Sequence, residues 1–293
     1  MASPSLPDPI GFEIALEKFV HMLKSQHRSS STTVAYSGDL IQLKGYLEDR
    51  RITQATSVQT QHLEDFVAHL STKGYTPKSV SRKINSLKTF FKFLHQSGLH
   101  SQNPSTPLTH PKFENPSPRI LTPDEFKSLR DACRLDIRVC AIVELLLQTG
   151  MRISELANLN LDDIRKTELY IRPLENNAAR TIPLNKTAAT TIQNYLAIRP
   201  QTENTHLFVT KTGRPLLIRN IRTSIDRYFK KAGLKDVKVN DLRHTFIAYQ
   251  LKNGVHPEVI HKHVGHRRIS STEKYLDFVK ITATATSSKL LEL

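Results

Sequence analysis

Between positions 104 and 118 the chain carries Pro104, Pro107, Pro111, Pro116 and Pro118. Proline has no backbone N–H and a fixed φ, so no helix or inner strand can run through such a stretch. Whatever forms on either side must fold around its own core, and residues 101–118 read as an extended, semi-rigid linker. The chain is therefore expected to divide into a domain over residues 1–100 and a second over residues 119–293. Together they are long enough for each part to bury a proper core.

The first part reads as four helices. Phe12, Leu16, Phe19, Val20 and Leu23 recur at one-face helical spacing. A Ser/Thr cluster, Ser29 to Thr33, can cap a second helix over about Val34 to Arg50. A third covers roughly Gln59 to Thr72 and ends at Gly74, and a fourth begins after Thr76-Pro77. This last one repeats the apolar stripe at Val80, Ile84, Leu87, Phe91 and Leu94, and between Pro77 and Gln96 it holds Lys78, Arg82, Lys83, Lys88 and Lys92 with no acid. A one-sign helix with an apolar stripe suits docking on a phosphate backbone; a plain solvated face is the other reading.

The second part reads as mainly helical with one β insertion. Thr122-Pro123-Asp124-Glu125 starts a helix, and an apolar helix from Ile137 to Gln148 stops at Gly150. Between Glu168 and Leu184, two β-rich runs flank a polar turn, Glu175 to Ala179, and read as a hairpin. Thr187 to Leu196, Asn220 to Ala232 and the segments after Asn240 and Pro257 read as further helices.

Composition enters through charge. The net formal charge is +15. Residues 1–100 hold +4 of it (12 basic, 8 acidic) and residues 101–293 the remaining +11 (30 basic, 19 acidic). Both parts suit a polyanionic partner, with nucleic acid and an anionic membrane surface open at this point. The longest nearly apolar run, Cys140 to Leu147, is far short of the ~20 residues of a membrane span. Met1 to Pro9 lacks the basic start and apolar stretch of a secretory signal. Cys133 and Cys140, seven apart on what reads as one helix, stand about 10 Å apart by helical rise, too far to bridge. The chain reads as intracellular and reduced.

Four segments carry chemistry. They are Thr149-Gly150-Met151-Arg152-Ile153-Ser154-Glu155-Leu156, then Asp241-Leu242-Arg243-His244-Thr245, then Val264-Gly265-His266, and finally Thr272-Glu273-Lys274-Tyr275. Singly each is weak: Arg152 and Arg243 can be ion-pair partners of Glu155 or Asp241, and His266 and Tyr275 can be core residues. In this order and spacing they resemble the tyrosine recombinase/integrase family, in its Xer-like and phage-integrase branch. Arg180 to Leu184 and Leu207-Phe208-Val209 also sit where that family has similar residues.

The resemblance implies a mainly α fold: a SAM-like four-helix core-binding domain, then a mostly helical catalytic domain with a small β-hairpin. It implies site-specific cutting and rejoining of double-stranded DNA, without cofactor or metal, by a tetramer on paired sites or with a related recombinase. Arg152 and Arg243 would clamp the scissile phosphate, His266 would hydrogen-bond it, and Tyr275 would attack it. Two forked guanidiniums suit the charge of a phosphorane, and a tyrosine hydroxyl keeps the cut strand as an ester. Lys78, Arg82, Lys83, Lys88, Lys211 and Arg214 are the candidate DNA-binding cations. A cytoplasmic protein is expected, serving either chromosome partition or phage or mobile-element integration.

Two departures stand out. The family usually has a lysine in the hairpin turn, which protonates the leaving 5′ oxygen; here Glu175 aligns with it and the turn has none. Three residues before Arg243 a histidine is usual, and this chain has Asn240. Slow cleavage is expected, with Lys166, Arg172 and Lys211 the nearest basic substitutes by sequence; a catalytically impaired DNA-binding relative is the rival reading. His256, His261, His263 and His266 lack a partnering carboxylate or cysteine pattern for zinc. The tail ending in Leu290, Leu291 and Leu293 can fold back on its own domain, or dock on a neighbouring protomer as the resemblance implies.

Overall fold

The computed structural model describes residues 10–114, 116–174, 177–279 and 290–293. The chain divides into two compact units, residues 1–115 and 116–293. Among the described residues no helix is long and apolar enough to cross a membrane.

In the first unit, α1 (Phe12–Ser25), α2 (Ser30–Glu48), α3 (Thr60–Thr72) and α4 (Pro77–Gln96) enclose one apolar core. The expected stripes supply it. Phe12, Phe19 and Leu23 of α1 and Val80, Ile84, Leu87, Phe91 and Leu94 of α4 are all buried. Helix α2 starts earlier than its apolar pattern predicts, because Ser29 is the cap and accepts from the Thr32 amide at 3.1 Å. The Ser/Thr cluster is thus its first turn.

Helix α4 is not a uniformly exposed basic face. Asp39 of α2 is buried beneath it and accepts from Lys83 Nζ at 2.8 Å, Arg82 Nη2 at 2.8 Å and Ser86 Oγ at 2.7 Å. The Lys83 ammonium also reaches Gln42 Oε1 at 2.6 Å. Lys83, expected among the DNA-binding cations, is therefore a buried counter-ion that ties α4 to α2. A buried carboxylate needs such partners. The first half of the proline-rich stretch lies along this unit: Leu108 joins its core, and the Pro104 carbonyl accepts from Thr60 Oγ1 at 3.0 Å.

In the second unit, α6 (Ile137–Thr149) is the central element, with every residue from Ala141 to Thr149 buried. A helix buried on all sides must be enclosed. Around it pack α5 (Pro123–Cys133), α7 (Ile153–Ala157), α8 (Lys186–Ile198), α9 (Ile218–Lys231) and α10 (Val239–Lys252). Strands β1 (Glu168–Ile171) and β2 (Arg180–Pro183) form the expected antiparallel hairpin, with Leu169 opposite Ile182 and Ile171 opposite Arg180. Glu175, the residue aligned with the family's lysine, lies outside the described residues. Helices α11 (Pro257–Val264) and α12 (Ser270–Glu273) complete the unit.

The cysteines correct the sequence reading. The helix breaks at Arg134 to Asp136, where Asp136 caps α6 by accepting from the Val139 amide at 3.1 Å. Cys133 ends α5 and Cys140 lies in α6, so the two do not share one helix, and the Cys133 thiol donates to the Arg130 carbonyl at 3.4 Å. Both are free.

The last four residues lie against their own unit. Gln250 grips Leu291 on both sides of its backbone, at 2.7 Å to the carbonyl and 2.9 Å from the amide. Gln148 does the same for Leu293, at 2.8 and 3.1 Å.

Candidate active site

Helices α6 and α11 both end at glycines in left-handed backbone, Gly150 at φ 60° and Gly265 at φ 65°. Such ends leave carbonyls without intrahelical partners and gather negative partial charge. Here arginines take them up. Arg243 of α10 donates to Gly150 O at 2.6 Å and Val264 O at 2.8 Å. Arg152, at the start of α7, donates to Gly265 O at 2.7 Å, and Arg180 of β2 donates to His263 O at 2.7 Å. His263, fully inside, reaches Thr149 O at 2.9 Å and stacks on Phe246.

One carboxylate orders the guanidiniums. Glu155 of α7 accepts from Arg152 Nη1 at 2.9 Å, and from Arg180 Nη1 and Nη2 at 2.9 and 2.7 Å. It also caps its own helix, accepting from the Arg152 amide at 2.8 Å. Burial alone would raise its pKa, but Arg180 and then Arg152 hold it down to about 2. Among the described residues Arg243 has no carboxylate partner of its own. Burial first, then Arg152, push its pKa down to about 9. Three guanidiniums beside one carboxylate that bonds two of them make a fixed, positively charged seat, the electrostatics a phosphoryl transition state demands.

His266 follows the Gly265 turn and its Nδ1 lies 2.7 Å from Thr272 Oγ1. Burial, then Arg243 and Arg152, press its pKa down to about 3. At neutral pH it is an uncharged hydrogen-bonding group. Tyr275, just past α12, is 3% exposed and its ring joins the core formed by Phe246, Ile247 and Ile260. Its hydroxyl meets His244 Nδ1. Burial pushes its pKa up to about 12, against the downward pull of Arg243. A cleft of about 420 Å³ opens beside Arg243 and Asn240, lined also by Met151, Ile153, Arg222 and Lys238.

The four motifs, up to 123 residues apart between Arg152 and Tyr275, thus meet around two helix ends. The structural readings of Arg152 and Tyr275 hold: Arg152 pairs with Glu155, and the Tyr275 ring is core while its hydroxyl meets His244. Arg180 and His244 belong to the cluster although sequence reasoning assigned them no role. The signals were there, an arginine opening a β2 strand similar to the family's and a histidine adjoining Arg243. Of the proposed substitutes for the turn lysine, Arg172 is engaged by Asp163 at 2.7 Å, while Lys166 and Lys211 are exposed. Lys78, Arg82 and Arg214 are exposed too, and Lys88 is half-buried. Among the described residues no group of three or more His, Cys, Asp or Glu is placed to hold a metal ion.

Comparison with known proteins gives the same picture. The phage integrase family matches residues 119–280, and the N-terminal SAM-like domain of phage integrases matches residues 16–98. Tyrosine recombinase XerC of Staphylococcus carnosus (strain TM300) is 31% identical over 269 residues, 88% of this chain and 90% of that protein. Tyrosine recombinase XerD of Listeria monocytogenes (strain EGD-e) is 29% identical over 280 residues, 91% of this chain and 94% of that protein. Among solved structures, XerA recombinase superposes with a TM-score of 0.52 at 27% identity, over 90% of this chain and 93% of that one. A lambda integrase dimer bound to a COC' core site superposes with a TM-score of 0.75 at 16% identity, over 91% of this chain and 77% of that one, a likeness of fold. The chain belongs to the phage integrase family and is a site-specific tyrosine recombinase.

Proposed function

We propose that this recombinase cuts and rejoins double-stranded DNA with Tyr275 as nucleophile, Arg152 and Arg243 on the scissile phosphate and His266 as a hydrogen-bond donor to it. The observation that carries the assignment is the convergence of Arg152, Arg243 and Arg180 on the carbonyls that end α6 and α11. Arginine side chains held by two or more bonds each have lost their rotamer freedom before substrate arrives, which is what transition-state stabilisation requires. Attack by the Tyr275 oxygen forms a 3′-phosphotyrosyl ester and frees a 5′-hydroxyl. Reversal with another strand's 5′-hydroxyl rejoins the DNA, so no metal or nucleotide is consumed. With no lysine in the sequence of the hairpin turn, we expect cleavage to be slowed by part of the 10²–10⁴ that general acid catalysis contributes.

Lys78, Arg82, Lys88, Lys211 and Arg214 are the cations we assign to the DNA backbone. Lambda integrase has been seen as a dimer on its core site and as a tetramer on a Holliday junction. We read the same assembly here: a tetramer of this chain, or of this chain with a related recombinase, on paired sites. Both parts, joined by the proline-rich segment, then bind the duplex. We place it in the cytoplasm, where the chromosome it acts on lies, and XerC and XerD as relatives favour a role in chromosome partition.

Nicked suicide DNA resolved on denaturing gels tests the assignment. Wild-type protein is expected to form a covalent adduct that Tyr275→Phe abolishes; an adduct that persists in Tyr275→Phe removes Tyr275 from its role.

A further inference from the structure

A phenol attacking a phosphodiester must lose its proton, and the residues around Tyr275 name a receiver. Its hydroxyl is hydrogen-bonded to Nδ1 of His244. The other ring nitrogen, Nε2, lies 2.7 Å from the amide nitrogen, Nδ2, of Asn240. Asn240 and His244 stand one turn apart on α10 and so share a face, while Tyr275 comes from the segment after α12. The rings of His244 and Tyr275 are tilted together with centroids 5.6 Å apart, which fixes the imidazole against the nucleophile. Nucleophile, imidazole and amide lie in one hydrogen-bonded line, the arrangement by which a weak nucleophile is activated.

We propose that His244 is the general base of strand cleavage and that Asn240 is the positioning residue that holds it, an inference resting on Tyr275 as the nucleophile. As the Tyr275 oxygen bonds to phosphorus, its O–H bond breaks and the proton passes to His244 Nδ1. The bond from phosphorus to the 5′ oxygen breaks, and that oxygen takes a proton from water. On rejoining, the 5′-hydroxyl gives its proton back to water as its oxygen bonds to phosphorus, the bond from phosphorus to the Tyr275 oxygen breaks, and the imidazolium returns the proton to that oxygen.

The surroundings suit the role. Burial, with Arg243 on the same helix and Lys274 beside Tyr275, lowers the pKa of His244 against the opposing pull of Asp241. His244 is therefore neutral at physiological pH. To accept at Nδ1 it must carry its ring hydrogen on Nε2, and an amide offers an oxygen to that hydrogen on a half-turn about Cβ–Cγ. An amide adds no charge, so it orients the ring without locking it in the protonated state. The asparagine that departs from the family pattern thus has a task of its own.

The test uses the full chain and suicide DNA whose scissile 5′-bridging oxygen is replaced by sulfur. A thiolate leaves without a proton, so the rate of adduct formation reports on the nucleophile alone. Wild type is expected to level off with pH once His244 is neutral. His244→Gln, which keeps a hydrogen bond to Tyr275, is expected to be slower by about 10²–10⁴ and to climb about tenfold per pH unit between roughly pH 6 and 9. Added imidazole should partly restore His244→Gly. Asn240→Ala should slow the step, and Asn240→Asp should keep the plateau but shift it to higher pH by stabilising the imidazolium. His244→Gln and Asn240→Asp with the wild-type rate and profile overturn the proposal while leaving Tyr275 as nucleophile. Adduct in Tyr275→Phe overturns the nucleophile assignment, and this proposal with it.

Discussion

Glu155 is where the site's geometry and its stability meet. A buried carboxylate holding Arg180 by a forked pair of bonds and Arg152 by one costs more to remove than an exposed pair, because the guanidiniums keep their burial and lose their counter-charge. Glu155→Gln is expected to destabilise the second unit by roughly 3 kcal/mol and to slow adduct formation at least tenfold; an unchanged urea midpoint would count against the hub. His263 is the second residue-scale device, its pKa lowered from 6.5 to about 4 chiefly by burial. Its folded pKa lies below its unfolded one, so below pH 6.5 the unfolded chain takes up a proton that the folded chain refuses. Stability should therefore fall as pH drops from about 6.5 to about 4, by about 1.4 kcal/mol per unit. Urea melts across this window should show it, and His263→Gln should lessen the slope without abolishing it, because His266, held down to about 3, contributes over the same range. Glu155, with a pKa of about 2, adds its loss only in the more acidic range below the usual carboxylate pKa. The sequence displayed Arg152, Arg243, His266 and Tyr275 because order and spacing carried the resemblance. It hid the parts played by Arg180 and His244, because neither the bond of the one to Glu155 nor that of the other to Tyr275 leaves a periodic trace.

At the scale of elements, the helices were legible wherever an apolar stripe coincided with a cap: Thr76 before Pro77, Thr122 before Pro123, Gly150 after Thr149. The break between α5 and α6 was not. Arg134 to Asp136 holds no glycine or proline to mark a turn, and the two cysteines were read on one helix. Helix α4 was legible as a helix and misread in part as a surface, because the partner of Lys83 is 44 residues away in α2. The two kinds of lysine on it separate by experiment. Lys83→Met should leave Asp39 short of a partner and lower the stability of the first unit by roughly 3 kcal/mol, with the salt dependence of DNA affinity unchanged. Lys78→Gln should leave the melting point alone and reduce the slope of log affinity against log salt by about 0.9 for each phosphate the lysine neutralises. Glycine at 265 serves a neighbouring element as well as its own: a Cβ there would stand 2.9 Å from Arg180 Nη1. Any larger residue would therefore push on the guanidinium that β2 sends to Glu155.

For the whole molecule, the expectation that the tail leaves to meet a neighbour has to reckon with the seat it has. The side chains of Gln148 and Gln250 pair with the backbone of Leu293 and Leu291 as a strand neighbour would, while Leu290 and Leu293 pack on the core and the Glu292 carboxylate accepts from the Thr187 amide at 3.1 Å, so backbone and side chains both hold the tail. The arginine cluster has a broader consequence. Three guanidiniums around one carboxylate are assembled during folding against their own repulsion, and an oxyanion that binds only the folded form relieves it. By linkage this raises the unfolding free energy by RT ln(1 + [L]/Kd), about 2.7 kcal/mol at a hundredfold excess over Kd. Inorganic phosphate or sulfate, compared with chloride at equal ionic strength, should raise the thermal midpoint of the second unit, and Arg243→Ala should lose most of that gain. The scissile phosphate would then act as a folding ligand as well as a substrate, so the second unit would be at its most rigid while the strand is being cut and would loosen on release.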